Sequence, residues 1–311
     1  MSRFLNELLK QPNVIITSRP SAKPPPALDL ELETIGFYQI KAFTNRDTGK
    51  VDLEKTEKVQ SFLQSHWLIQ GLVRIPIQLD ALCYTWDDFD PGSVPDTMTG
   101  MYKAIEQKLW KKDAVRLGKT HSGQPVTAAQ IGTSDPKFLV EDEIYFLERL
   151  AFTGLHNDVI DFTSEHRGAI PNKLLLDKTL PQLSFLRTSD PSPNVRDREY
   201  HFTHLTFQEY FAARCFVRHW KDDSQLEYVF KKQSNTQSDS PTDPAKFFRK
   251  QKYSARYDVF WRFVAGLLDA EKDNKTLQFF KMMEQEPLDL LGPTHQRLQD
   301  EPYFRRASSQ P

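Results

Sequence analysis

Residues Tyr200–Trp220 read YHFTHLTFQEYFAARCFVRHW, and the period of the string changes half-way along. Tyr200, Phe202 and His204 alternate with His201, Thr203 and Leu205, a period of two that predicts a short strand. From Thr206 the pattern is helical. Thr206 with Glu209 three residues on has the spacing of a capping box, and Leu205 with Tyr210 has that of a hydrophobic staple. Ala213, Phe216, Val217 and Trp220 then recur at i, i+3, i+4 and i+7, with Phe207 and Phe211 on a neighbouring face. Two apolar faces predict a helix buried on most sides. His204 is thereby set at a strand end, just before a helix N-terminus where anions are favoured. Two readings of it stay open: a histidine satisfied between strand and helix, or a group that meets an anion.

The rest of the chain is consistent with a helical, intracellular protein. Its 311 residues suffice for two or three cores, and 41 Lys plus Arg against 42 Asp plus Glu leave a net charge of −1. No global basic field exists to attract nucleic acid. Cys83 and Cys215 lie in apolar helical patterns, which fits core thiols in a reducing, cytoplasmic setting better than a disulfide framework. No apolar run reaches the roughly 18 residues of a membrane span. H-E-x-x-H, G-x-S-x-G, G-x-G-x-x-G and zinc-type Cys/His spacings are all missing from the sequence. His201 and His204 point to opposite faces of one strand, which disfavours joint metal binding.

In chain order, Asn13-Val14-Ile15-Ile16 reads as a buried strand ending in Thr17-Ser18-Arg19-Pro20. Arg19 at such a strand end is placed for phosphate chemistry, or simply caps the strand on the surface. Leu28, Leu30 and Leu32 alternate with acids, a strand with one wet face. Val59, Phe62, Leu63 and Trp67 sit near helical spacing, and Pro76 can start a further helix. Asp87, Asp88 and Asp90 read as a solvated turn, because the ligand spacing of a calcium loop is missing. Thr97 caps a helix whose Met98, Met101, Tyr102, Ile105 and Leu109 form a core stripe, ending at Lys111-Lys112. Residues 116–137 read as an irregular connection. Phe138–Phe152 is helical with Gly154 as its stop, a second helix begins near Leu174, and Leu183 to Arg198 supplies a strand and a loop back to 200–205. Gln233–Pro241 is a polar loop, and helical order resumes at Tyr257.

Three strings carry a family resemblance. Phe202–Ala213 (FTHLTFQEYFAA) resembles the winged-helix segment of NACHT-type nucleotide-binding proteins, the signal-transducing ATPases that include animal NLR receptors and fungal NACHT–repeat proteins. VIITSRP at 14–20 resembles their sensor-1 strand, and the segment 74–83 resembles their first helical domain. The resemblance implies that His204 reaches the β-phosphate of bound ADP, that Arg19 senses a γ-phosphate and that Pro76 packs on adenine. The implied fold is mainly α. A C-terminal remnant of the P-loop α/β sheet (1–33) precedes helical domain 1 (34–115) and a winged-helix domain (116–222). A flexible loop (223–244) then leads to the start of helical domain 2 (245–311).

The sequence departs from that family where catalysis would sit. No G-x-x-x-x-G-K-[ST] occurs, nor an acidic magnesium-holding strand before Asn13. Met1 then falls inside the nucleotide-binding domain, catalytic residues and a magnesium site are both missing, and hydrolysis by this chain alone is not expected. The expected function is a partial nucleotide-gated signalling switch in immune or self/non-self signalling. ADP or ATP would be held weakly, or only in a longer chain. Expected partners are other NACHT-type proteins or a self-oligomer, with no nucleic acid and no membrane. A winged helix raises the DNA-binding alternative, but residues 170–180 offer only Lys173 and Lys178. Two other readings are a non-catalytic module that regulates a full-length relative, and an ATPase whose P-loop half lies upstream of a misplaced start.

Overall fold

The computed structural model describes residues 43–44, 51–73, 79, 82–83, 86, 95, 97–121, 123–127, 136–171, 176–188, 190, 192–227, 241–270 and 273–286. All belong to one compact unit, Ile40–Pro311. The expectations placed on Arg19, Pro76, the strands at 13–16 and 28–32, Asp87, Asp88, Asp90, Lys173 and the loop 233–240 lie outside the described residues.

The described chain is mainly helical, with short antiparallel strand pairs between helices. β1 (Phe43–Thr44) pairs with β2 (Val51–Asp52), Phe43 opposite Asp52. β2 runs into α1 (Leu53–Ser65), and α2 (Trp67–Leu72) follows. Val59 and Ile69 on these helices are buried, and Phe62 stacks on His66 with ring centroids 4.1 Å apart. α3 is Met98–Arg116. Its cap is the expected one: Gly100 N–H donates to Thr97 Oγ1 at 3.0 Å. The helix runs a turn past Lys111-Lys112, because Asp113 and Ala114 are buried and keep its last turn against the core. The expected irregular connection contains a small hairpin, β3 (Thr120–His121) with β4 (Gln124–Pro125), His121 opposite Gln124.

A 3₁₀ turn (Pro136–Leu139) leads into α4 (Glu141–Asn157). Gly154 does not end this helix. The stop is Asp158, left-handed at φ 60°, with its N–H returning to Gly154 O. Gly154 serves close approach instead: a Cβ there would lie 2.6 Å from the Phe162 ring and 2.7 Å from Gln208 Nε2. Thr163 caps the short α5 (Ser164–Gly168), and α6 (Leu176–Thr179) continues into a 3₁₀ turn, Leu180–Gln182. β5 (Leu186–Arg187) then pairs with β6 (His201–Phe202), Leu186 opposite Phe202, while Tyr200 bridges to Phe162. The buried Arg167 guanidinium donates to the carbonyls of Phe162, Arg196 and Arg198, each at 2.7 Å, and lies over the Tyr200 ring. Those bonds tie the return loop to α5 and to Phe162 just before it.

α7 (Leu205–Lys221) is the central helix, packed mainly against α4 and α9. Its apolar stripe is buried throughout, as its two-faced pattern predicts. Toward its N-terminus Phe207 and Phe211 meet Tyr102, Trp110 and Phe185. Toward its C-terminus Phe216 meets Trp261 edge-on at 5.2 Å, along with Phe247, Phe260 and Phe279. Helical order resumes earlier than Tyr257. α8 (Pro244–Gln251) starts on an Asp243 cap with Pro244 at its first position. α9 (Asp258–Asp269) and α10 (Asn274–Met283) follow, and Lys252 donates to the carbonyls of Met283, the last residue of α10, and of Gln285 just past it.

Candidate functional site

The head of α7 differs from the expected capping box. His204, not Thr206, is the cap residue: its backbone is extended (φ −151°, ψ 150°), and its Nδ1 accepts the N–H of Thr206 at 3.2 Å. Thr206 lies inside the first turn, with its Oγ1 2.8 Å from His204 Nδ1 and hydrogen-bonded to the hydroxyl of Tyr102 on α3. With His204 as the cap, Leu205 is the first residue of the helix, not the residue before the cap that a staple uses, and it is 40% exposed. An imidazole can replace a hydroxyl here because the cap requires only an acceptor within reach of the first-turn N–H groups.

That bond decides the tautomer. A backbone N–H can only donate, so Nδ1 must carry the lone pair and Nε2 the proton. Burial lowers the His204 pKa from its ordinary value, which keeps the ring neutral at pH 7. Among the described residues Nε2–H has no hydrogen-bond partner. His204 therefore presents one fixed donor beside the positive end of a 17-residue helix. His201 is engaged separately, its Nδ1 3.5 Å from Asp161 Oδ1. Among the described residues no group of three or more His, Cys, Asp or Glu is placed to hold a metal ion.

Below this head two glutamates are sealed between α3, α4 and α7. Glu106 accepts from Tyr210 Oη at 2.8 Å, from Trp110 Nε1 at 3.1 Å and from Arg214. Glu148 meets Arg214 Nε at 3.0 Å and Arg218 Nε at 2.8 Å. Burial pushes the Glu148 carboxyl up, against the pull of Arg218. Burial and the neighbouring Arg218 pull Arg214 down to about 9, which leaves it charged at neutral pH. The network joins residues about a hundred positions apart, so no local spacing announces it.

Glu209 is the other group that the capping-box reading misplaces. It is buried, and its pKa rises to about 7 through burial and the nearby Asp258 carboxylate on α9. Asp258 accepts from Arg262 Nη2 at 3.3 Å through Oδ2, while its Oδ1 is buried with no hydrogen-bond partner. The sequence did carry a signal for this. Glu209 precedes Ala213, Phe216 and Trp220 at i+4, i+7 and i+11, and so lies on the buried stripe.

Comparison with known families places a match elsewhere. Residues 54–97 match a domain of unknown function, DUF7068. That segment holds α1, α2 and the residues up to the Thr97 cap, and it ends before the helices that build the His204 site. No curated protein matches the chain.

Proposed function

We propose that this chain is the lid and winged-helix part of a NACHT-type nucleotide-gated switch, in which His204 donates to the β-phosphate of ADP. One observation carries the reading: the cap bond to Nδ1 forces the proton onto Nε2, which is left unpartnered at a helix N-terminus. A neutral donor there adds a directed hydrogen bond to the dipole's preference for anions. In this reading α4 to α7 form the winged helix, β5 and β6 are its wing, and α8 to α10 begin the second helical domain. Arg19 and Pro76 are the other lid contacts. Without a phosphate cradle the lid discriminates nucleotide states and does not hydrolyse, so it works as a switch element on a partner of its own class or on a second copy.

The test uses His204→Asp in the full chain. Aspartate is as good an N-cap as any side chain, so the variant keeps the helix head while putting a negative charge where phosphate would come. ADP at millimolar concentration should raise the melting temperature of the wild type by a few degrees and leave His204→Asp unmoved. A wild type indifferent to ADP removes the nucleotide role from this chain.

A further inference from the structure

Lys252 directly follows α8, its own N–H returning to Phe248 O at 2.8 Å, and it is buried. Its ammonium donates to Gln285 O at 2.6 Å and to Met283 O at 3.2 Å, and lies 4.9 Å from the centre of the Tyr253 ring. A buried ammonium is tolerated only where its N–H groups find acceptors, and here main-chain carbonyls supply them. They belong to a helix end. The last four carbonyls of an α-helix have no partner within it, and their partial negative charge favours a cation. Met282 O is served locally, by the N–H of Gln285 at 3.3 Å. Met283 O has no such supplier in the sequence: the residue four positions on is Pro287, which has no N–H. The donor comes instead from 31 residues earlier in the chain.

We propose that Lys252 is a clamp through which α8 sets the point where the chain leaves α10, and that the last turn of α10 opens as a local unit when the clamp lets go. Phe279 bounds that unit. It is fully buried among Phe216, Trp220, Phe248 and Trp261. Opening beyond it leaves those rings in place, so neither α7 nor α9 has to move. α8 is fastened to α9 at the preceding carbonyl, where Gln251 O accepts from Trp261 Nε1 at 3.1 Å. The clamp thus has a fixed base and a releasable end. It uses neither His204 nor its proposed nucleotide role.

Native-state amide hydrogen exchange on the full chain, at urea concentrations below unfolding, tests it. In the wild type, amides of 280–286 should exchange at a rate that low urea hardly changes, because a local opening exposes little surface. Amides of α7, which open only with the core, should quicken with urea. Lys252→Met removes the donors and keeps the packed stem. It should quicken exchange at 280–286 about tenfold, the loss expected for a charge-assisted hydrogen bond, and leave the weak urea dependence in place. Wild-type amides of 280–286 that share the rate and urea dependence of α7 overturn the proposal, as does equal exchange there in wild type and Lys252→Met. A Lys252→Met chain that fails to fold overturns it too, since a releasable clamp cannot be required by the whole core.

Discussion

At His204 one ring nitrogen is committed to the fold and the other is left over. Glu209, five residues on, is the opposite case, a carboxyl that the fold holds in its neutral form. An unfolded glutamate releases its proton near 4.5, whereas Glu209 keeps it to about 7. The folded state thus binds the extra proton between those values. Its contribution to stability is complete below 4.5, declines as pH rises toward 7, and is gone above. Glu209→Gln keeps the shape of the neutral acid and removes that dependence. At pH 8 the variant should be roughly 2–3 kcal/mol more stable than the wild type, and at pH 4 the two should coincide. Urea midpoints at both pH values measure it, and an equal difference at each would show that Glu209 does not titrate as described. The string 202–213 singled out His204, but which nitrogen holds the proton depends on the Thr206 N–H that it caps. The spacing of Glu209 from Thr206 suggests a cap, although the same string also places Glu209 on the apolar stripe.

Helices whose apolar positions keep strict period, α3, α7 and α9, were legible in the sequence because burial on fixed faces leaves that period. Their ends were less so. A cap requires only an acceptor or a left-handed residue, and several residue types supply each: His204 in place of Thr206, Asp158 in place of Gly154. α8 is hard to read from the sequence because Phe247 and Phe248 are adjacent and break the helical count, although Asp243-Pro244 is a proper start signal. The β3–β4 hairpin is too short to show a period at all. Gly154 and Gly168 turn this into an experiment on elements. Both are helical, but a Cβ at Gly154 would meet the Phe162 ring at 2.6 Å, while at Gly168 nothing lies within 4 Å. Gly154→Ala should destabilise by about 1–3 kcal/mol through overpacking of α4 against α7 and the Phe162 bridge. Gly168→Ala should stabilise by about 0.4–1 kcal/mol by restricting the unfolded chain. Opposite signs in thermal denaturation are the expected result, and a stabilising Gly154→Ala would mean that α4 is free to shift.

Across the whole described unit α7 is common to two aromatic groups. Its first half is packed into Tyr102, Trp110 and Phe185, and its second half into Phe247, Phe260, Trp261 and Phe279. A rigid helix cannot leave one group without pulling on the other. A moving boundary in the proposed switch therefore does not run between α7 and α9, and the segments that swing must carry both helices together. Phe216→Ala tests this at the centre of the second group. The loss of a fully buried phenyl ring should cost about 3–5 kcal/mol. Tryptophan fluorescence reports on both groups, with Trp110 in the first and Trp220 and Trp261 in the second, and far-UV circular dichroism reports on the helices between them. If α7 couples the groups, both signals shift to the same lower midpoint and remain coincident. If the C-terminal helices form a separate lid, Phe216→Ala should split the transition, with the fluorescence change beginning before the helices melt. A split would return the boundary to the α7–α9 contact and give the switch its hinge there.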